Sequence, residues 1–144
     1  MTKVLVIQGA GMNMRGKAQL ESFGPATLDQ INDEIRAYAK NLDVEVEFFH
    51  SNIMGEVLNA LYDAHDSDID AAIINPAGYT ASAGPLPNAI GQVRFPVIEV
   101  HASNPVARGL ISTVQPAVKG LVHGFGVYGY YLALQAAKQL TSNS

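Results

Sequence analysis

Apolar positions along this chain fall into two alternating patterns. Lys3-Val4-Leu5-Val6-Ile7 is a short β-branched run ending at Gln8-Gly9, the signature of a buried strand. Similar runs recur at Val44 to Phe49, Ala71 to Pro76, Pro96 to His101 and Gly120 to Phe125. Between them the spacing turns helical. Leu28, Ile31, Ile35 and Ala39 share one face of a helix that Thr27 is suited to cap and that runs to about Leu42. Val57, Leu58 and Leu61 do the same between Glu56 and His65, and Tyr128 to Leu140 forms a closing apolar helix. Pro85 and Pro87 suit only a first turn, which predicts a helix beginning near Asn88. Gly9 to Pro25 is a long polar loop, a length usually kept for function.

Short strands alternating with helices predict right-handed crossovers and a parallel sheet covered on both faces. The expected fold is an α/β, flavodoxin-like three-layer sandwich. Its five parallel strands would lie in the order 2-1-3-4-5, as one domain over residues 1–144. In such sheets ligands sit beyond the carboxyl ends of the strands. Gln8, Asn75 and His101 end the first, third and fourth strands, so Asn75 and His101 are expected to face one shared crevice.

Composition narrows the function classes. A chain 48% hydrophobic and only 15% charged excludes disorder and leans towards surface buried between subunits. A net charge of −4 without a Lys/Arg run excludes a nucleic-acid groove or an anionic membrane as partner. There is no cysteine for disulfides or thiolate chemistry. The opening MTKVLVIQ enters a strand pattern and no apolar run reaches the ~18 residues of a membrane helix, so a soluble cytoplasmic protein is expected.

His101 is the strongest candidate for proton transfer, because an ordinary imidazole titrates near neutrality. Glu99, two residues earlier on the same strand face, can hold its tautomer from behind. The same two residues could instead pair at a subunit contact. Asn75-Pro76 could equally start a turn. His50 and His123, at or inside strands, read as structural, and His65 lies at a helix end. Four dispersed histidines offer no metal-ligand spacing, and no metal or cofactor is expected. Gly9-Ala10-Gly11 fails as a dinucleotide loop, since Met14 stands where the third glycine is needed. Tyr128, Tyr130 and Tyr131 read as packing residues.

Four segments, in order, resemble the type II 3-dehydroquinate dehydratase family over nearly the whole chain. They are Val6-Ile7-Gln8-Gly9 with Asn13 and Gly16-Lys17, Asn75 to Thr80, Glu99 to Asn104, and Lys119-Gly120 through Gly129-Tyr130. The resemblance implies an anti elimination of water from 3-dehydroquinate through an enolate. In that family a lid tyrosine is the base and an arginine assists it. An asparagine supports the enolate, and the histidine of the third segment assists loss of the hydroxyl. Backbone amides after that histidine hold the substrate carboxylate. A homo-oligomer, trimer or dodecamer, is implied as well.

This chain departs from the pattern at several of those positions. The base tyrosine becomes Phe23, the arginine Ala18 and the enolate asparagine Gly11. Ala81 replaces a histidine, Asn88 replaces an aspartate that reaches a neighbouring subunit, and a stretch with a substrate-binding arginine is missing. The catalytic candidates that remain are His101, Glu99 and Asn75. The candidates for holding a small-molecule substrate are Asn13, Arg15, Ala102, Ser103 and Arg108. Without the base half, the ordinary dehydratase reaction is expected to be too slow to be useful, since one positioned acid–base group is worth roughly 10²–10⁴-fold. The reading this favours is a divergent enzyme that applies acid–base chemistry at His101 to another small carboxylated or cyclic substrate. New lid groups at Arg15, Lys17, Gln19 and Glu21 would help to bind it, although each singly suits a solvated loop. The alternatives are an authentic 3-dehydroquinate dehydratase with substituted lid residues, and a non-catalytic binding or assembly protein.

Overall fold

In the computed structural model, which describes residues 1–142, strand β1 (Lys3–Ala10) lies between β2 (Glu45–His50) and β3 (Ala71–Ala77). Strands β4 (Val97–His101) and β5 (Gly120–His123) complete the sheet in the order β2-β1-β3-β4-β5, and every neighbouring pair is parallel. This is the α/β flavodoxin-like arrangement that the alternating pattern predicts.

Helices α2 (Leu28–Asn41) and α5 (Tyr128–Ser142) cover one face, and α3 (Met54–His65) and α4 (Leu86–Gln92) cover the other. Strand alternation divides the core accordingly. Val4, Val6, Ile73 and Val100 pack with Ile31 and Ile35 of α2 and Leu134 of α5. Leu5, Ile7 and Ile74 pack with Val57 and Leu61 of α3 and Ile90 of α4. Thr27 starts α2 with a capping box. Its hydroxyl accepts from the Gln30 amide at 3.2 Å, and the Gln30 side chain accepts from the Thr27 amide at 2.9 Å.

Several boundaries differ from the sequence reading: β1 runs past Gln8 to Ala10, paired to Ala77 of β3, and β5 stops at His123 rather than Phe125. Pro76 does not end β3, which continues to Ala77. Helix α4 begins at Leu86 rather than near Asn88, because Pro85 serves as its cap and Pro87 falls in the first turn, where no backbone donor is needed. The long first loop is partly folded, with a 3₁₀ turn at Met12–Met14 and a single helical turn, α1 (Leu20–Phe23). Among the described residues no helix is long and apolar enough to cross a membrane.

Candidate active site

The carboxyl ends of β1, β3 and β4 open into a crevice of about 460 Å³, closed on its outer side by the residue 11–23 lid. Asn75 and His101 both line it, but they arrive from opposite faces of the sheet. Ile74 is in register with Glu99, so those two share a face, and Asn75 necessarily points to the other. The crevice therefore straddles the sheet edge. The α2/α5 side contributes Ile31 and Tyr130, and the opposite side contributes His101 and Thr80.

His101 is 5% exposed and Glu99 is fully buried behind it. The Nε2 atom of His101 is hydrogen-bonded to Glu99 Oε2. The carboxyl thus fixes the ring orientation and leaves Nδ1 as the ring's second nitrogen. Among the described lining residues His101 is the only one with an imidazole, carboxyl or amine side chain. The other ionisable groups on the wall are Arg15, Arg108 and the phenol of Tyr130.

Asn75 belongs to a buried relay that the sequence does not reveal. Its amide donates to the Tyr130 hydroxyl at 2.9 Å, and that hydroxyl donates to Gln8 Oε1, also at 2.9 Å. Gln8 in turn donates to Asn32 at 3.2 Å. The Asn75 side-chain oxygen Oδ1 accepts from the Ala77 amide at 3.1 Å, which makes the local turn that Asn-Pro suggests. Burial pushes the Tyr130 phenol above its usual range, against the opposing hydrogen bonds to Asn75 and Gln8 and the nearby Arg15 charge. Tyr130 was expected only to pack. Its contact with Gln8 spans most of the chain, so no local pattern announces it.

Arg15 reaches over the crevice and stacks its guanidinium 3.8 Å from the centre of the Phe23 ring. Burial lowers its guanidinium below the ordinary value, with the Tyr130 phenol as the opposing influence. Arg108 is exposed and donates to the Ser103 hydroxyl at 2.8 Å. Neither arginine takes part in an ion pair among the described residues. Both, with Ala102 and Ser103, line the crevice and are placed to hold an anion. Asn13 stands apart from the other binding candidates: it is exposed, outside the lining, and accepts from Asn52 at 3.2 Å. Gly11, Ala18 and Phe23 all face the crevice, so the departures from the family pattern lie on its wall.

One neighbour of His101 also escaped the sequence reading. His123 on β5 is in register with His101, and their rings meet edge to face with centroids 4.9 Å apart. Burial holds the His123 imidazole below the ordinary histidine value, His101 adds to this, and Glu99 opposes it. Spacing along the chain gave no metal-ligand set, yet Glu99, His101 and His123 converge across two strands, with ligand atoms all within 4.8 Å of one another.

Comparison with known proteins covers nearly the whole chain. The family described as dehydroquinase class II matches residues 2–138. The 3-dehydroquinate dehydratase of Caldanaerobacter subterraneus subsp. tengcongensis is 42% identical over 97% of this chain and 96% of its own. The type II dehydroquinase of Butyrivibrio crossotus superposes with a TM-score of 0.90 at 29% identity, covering 95% of this chain and 97% of that one. A 3-dehydroquinate dehydratase-like protein of Bifidobacterium longum gives 0.73 at 29% identity, over 97% and 98% of the two chains. With the family match, the identity to the Caldanaerobacter relative and the sheet order in agreement over nearly their full length, the chain belongs to the class II dehydroquinase family.

Proposed function

We propose that this protein dehydrates 3-dehydroquinate to 3-dehydroshikimate, with His101 carrying the proton in both directions. The divergent-substrate reading of the sequence gives way here. Relatives at 42% and 41% identity over 97% of the chain bear the name 3-dehydroquinate dehydratase, which favours the same substrate. The observation that carries the mechanism is that His101, backed by Glu99, is the only imidazole, carboxyl or amine side chain on the described crevice wall.

The chemistry then follows from the groups present. Arg15 and Arg108 stand on the wall without an ion pair among the described residues and attract the substrate carboxylate and the enolate oxygen. Neutral His101 removes a proton from the carbon next to the ketone, leaving an enolate. The imidazolium returns that proton to the departing hydroxyl, which leaves as water. A C–H and a C–O bond break, a C=C bond forms, and His101 ends neutral. Glu99 holds the ring through both transfers.

The test is the appearance of the conjugated enone on mixing the protein with 3-dehydroquinate. Saturable turnover is expected, below the 1–10³ s⁻¹ typical of enzymes, because one group now does the work of two. Its complete absence would overturn the proposal. Phe23 and Ala18 on the lid wall favour a second reading, a less polar cyclic hydroxy acid as substrate. That reading gains if such an acid is dehydrated while 3-dehydroquinate is not.

A further inference from the structure

At the back of the crevice three potential metal ligands meet, of which only His101 lines the crevice itself. Glu99 is fully buried, His101 nearly so, and His123 is half-buried on the neighbouring strand. The geometry points to a divalent transition-metal site formed by Glu99, His101 and His123, taking an ion of the zinc class. Two orphaned atoms carry the inference. Glu99 Oε1 and His123 Nε2 are both buried with no hydrogen-bond partner. A buried carboxylate oxygen and a buried imidazole nitrogen each hold a lone pair that protein interiors rarely leave unused. Both residues that carry them belong to the cluster in which Glu99, His101 and His123 each bring one ligand atom within 4.8 Å of the others, and His101 Nε2 is already turned to the same carboxyl.

The ligand set selects the ion. Two imidazoles and one carboxylate are the three-ligand pattern of open zinc sites, and the nitrogens disfavour calcium and magnesium, which prefer all-oxygen shells. Zinc bonds of about 2.0–2.2 Å in a tetrahedron put ligand atoms roughly 3.3–3.6 Å apart. The present atoms lie within 4.8 Å of one another, so the most distant pair closes by little more than 1 Å, while the hydrogen-bonded His101–Glu99 pair has to open to admit the ion. A half-buried ring on an edge strand can supply that through side-chain rotation. The ion would take the His101 nitrogen now bonded to Glu99, fixing the same ring orientation.

The site does not rest on the dehydratase proposal, and its test is binding. An ion on His101 Nε2 would leave the ring proton on Nδ1 and silence His101 as a base, so the metal-loaded protein should be inactive and the stripped protein active. Full-length protein, stripped by a chelator, would be titrated with Zn²⁺ against a chromophoric competitor, and with Co²⁺ for its visible absorption. One ion per chain is expected, with tetrahedral-type cobalt bands. His123→Val should weaken zinc binding at least 100-fold and abolish the bands. Circular dichroism would confirm its fold, and His123→Gln would serve if valine unfolds the edge. His50→Ala should bind as the parent does. No stoichiometric binding, or equal binding by a folded His123 variant, would overturn the site. Enone formation measured on the same stripped protein would separate this failure from failure of the dehydratase reading.

Discussion

Replacing His101 with glutamine is expected to lower turnover of 3-dehydroquinate by roughly 10²–10⁴-fold, the worth of a positioned acid–base group. Glutamine is the informative choice because of Glu99. With alanine the fully buried carboxyl would lose its partner, a loss of about 1–3 kcal/mol that would mix a folding defect with a chemical one. Glutamine can still donate to Glu99 but moves no proton at neutral pH. The expected pattern is therefore a collapsed kcat with thermal stability close to the parent's. Turnover within a few-fold of the parent would remove His101 from the mechanism. A large loss of stability with the kcat per folded protein unchanged would make the Glu99–His101 pair structural.

The largest stability effect is expected at Gly9, next to Gln8 where β1 runs past β3. A Cβ placed there would lie 2.1 Å from the Pro76 oxygen, 2.6 Å from the Pro76 carbonyl carbon and 2.8 Å from the Asn75 oxygen. All three atoms are backbone, so no side chain can rotate away. Gly9→Ala should destabilise by about 3 kcal/mol, the upper end of overpacking costs. In a domain of this size that lowers Tm by roughly 10 °C. Because Pro76 and Asn75 belong to the strand that supplies the crevice, activity should fall as well. Gly55 in α3 is the control, since a Cβ there meets nothing within 4 Å. Gly55→Ala should leave stability unchanged or raise it by up to about 1 kcal/mol. Thermal unfolding of both variants decides the matter, and an unperturbed Gly9→Ala protein would contradict the close crossing of β1 and β3.

What could be read from the sequence is what is local. The β-branched runs, the Thr27 cap and the polar residues ending apolar strands announce the sheet and its carboxyl edge. His101 and Glu99 were legible because period-2 alternation puts residues 99 and 101 on one face. The same alternation puts Asn75 on the opposite face, which becomes visible only once β3 and β4 are in register. Tyr130 and His123 were missed for a related reason. Tyr130 looks like one more aromatic on an apolar helix, and only the fold carries its hydroxyl to Gln8 and Asn75. His123 gains its meaning from lying beside His101 across β4 and β5, a pairing with no signature along the chain. Asn13 was drawn in by a motif position, but the lid turns it towards Asn52 instead.

The central claim is that one group, His101, both removes and returns the proton, and its most direct test is stereochemical. A single imidazole reaches only one face of the substrate, so the hydrogen lost must lie on the same side as the departing hydroxyl. 3-Dehydroquinate carrying deuterium at one of the two positions on the carbon next to the ketone would be turned over and the product analysed by mass spectrometry. The account predicts syn loss, opposite to the anti course that the family resemblance implies. Anti loss would contradict it, because a base would then have to stand on the far face of the substrate, where the described crevice wall offers no second imidazole, carboxyl or amine.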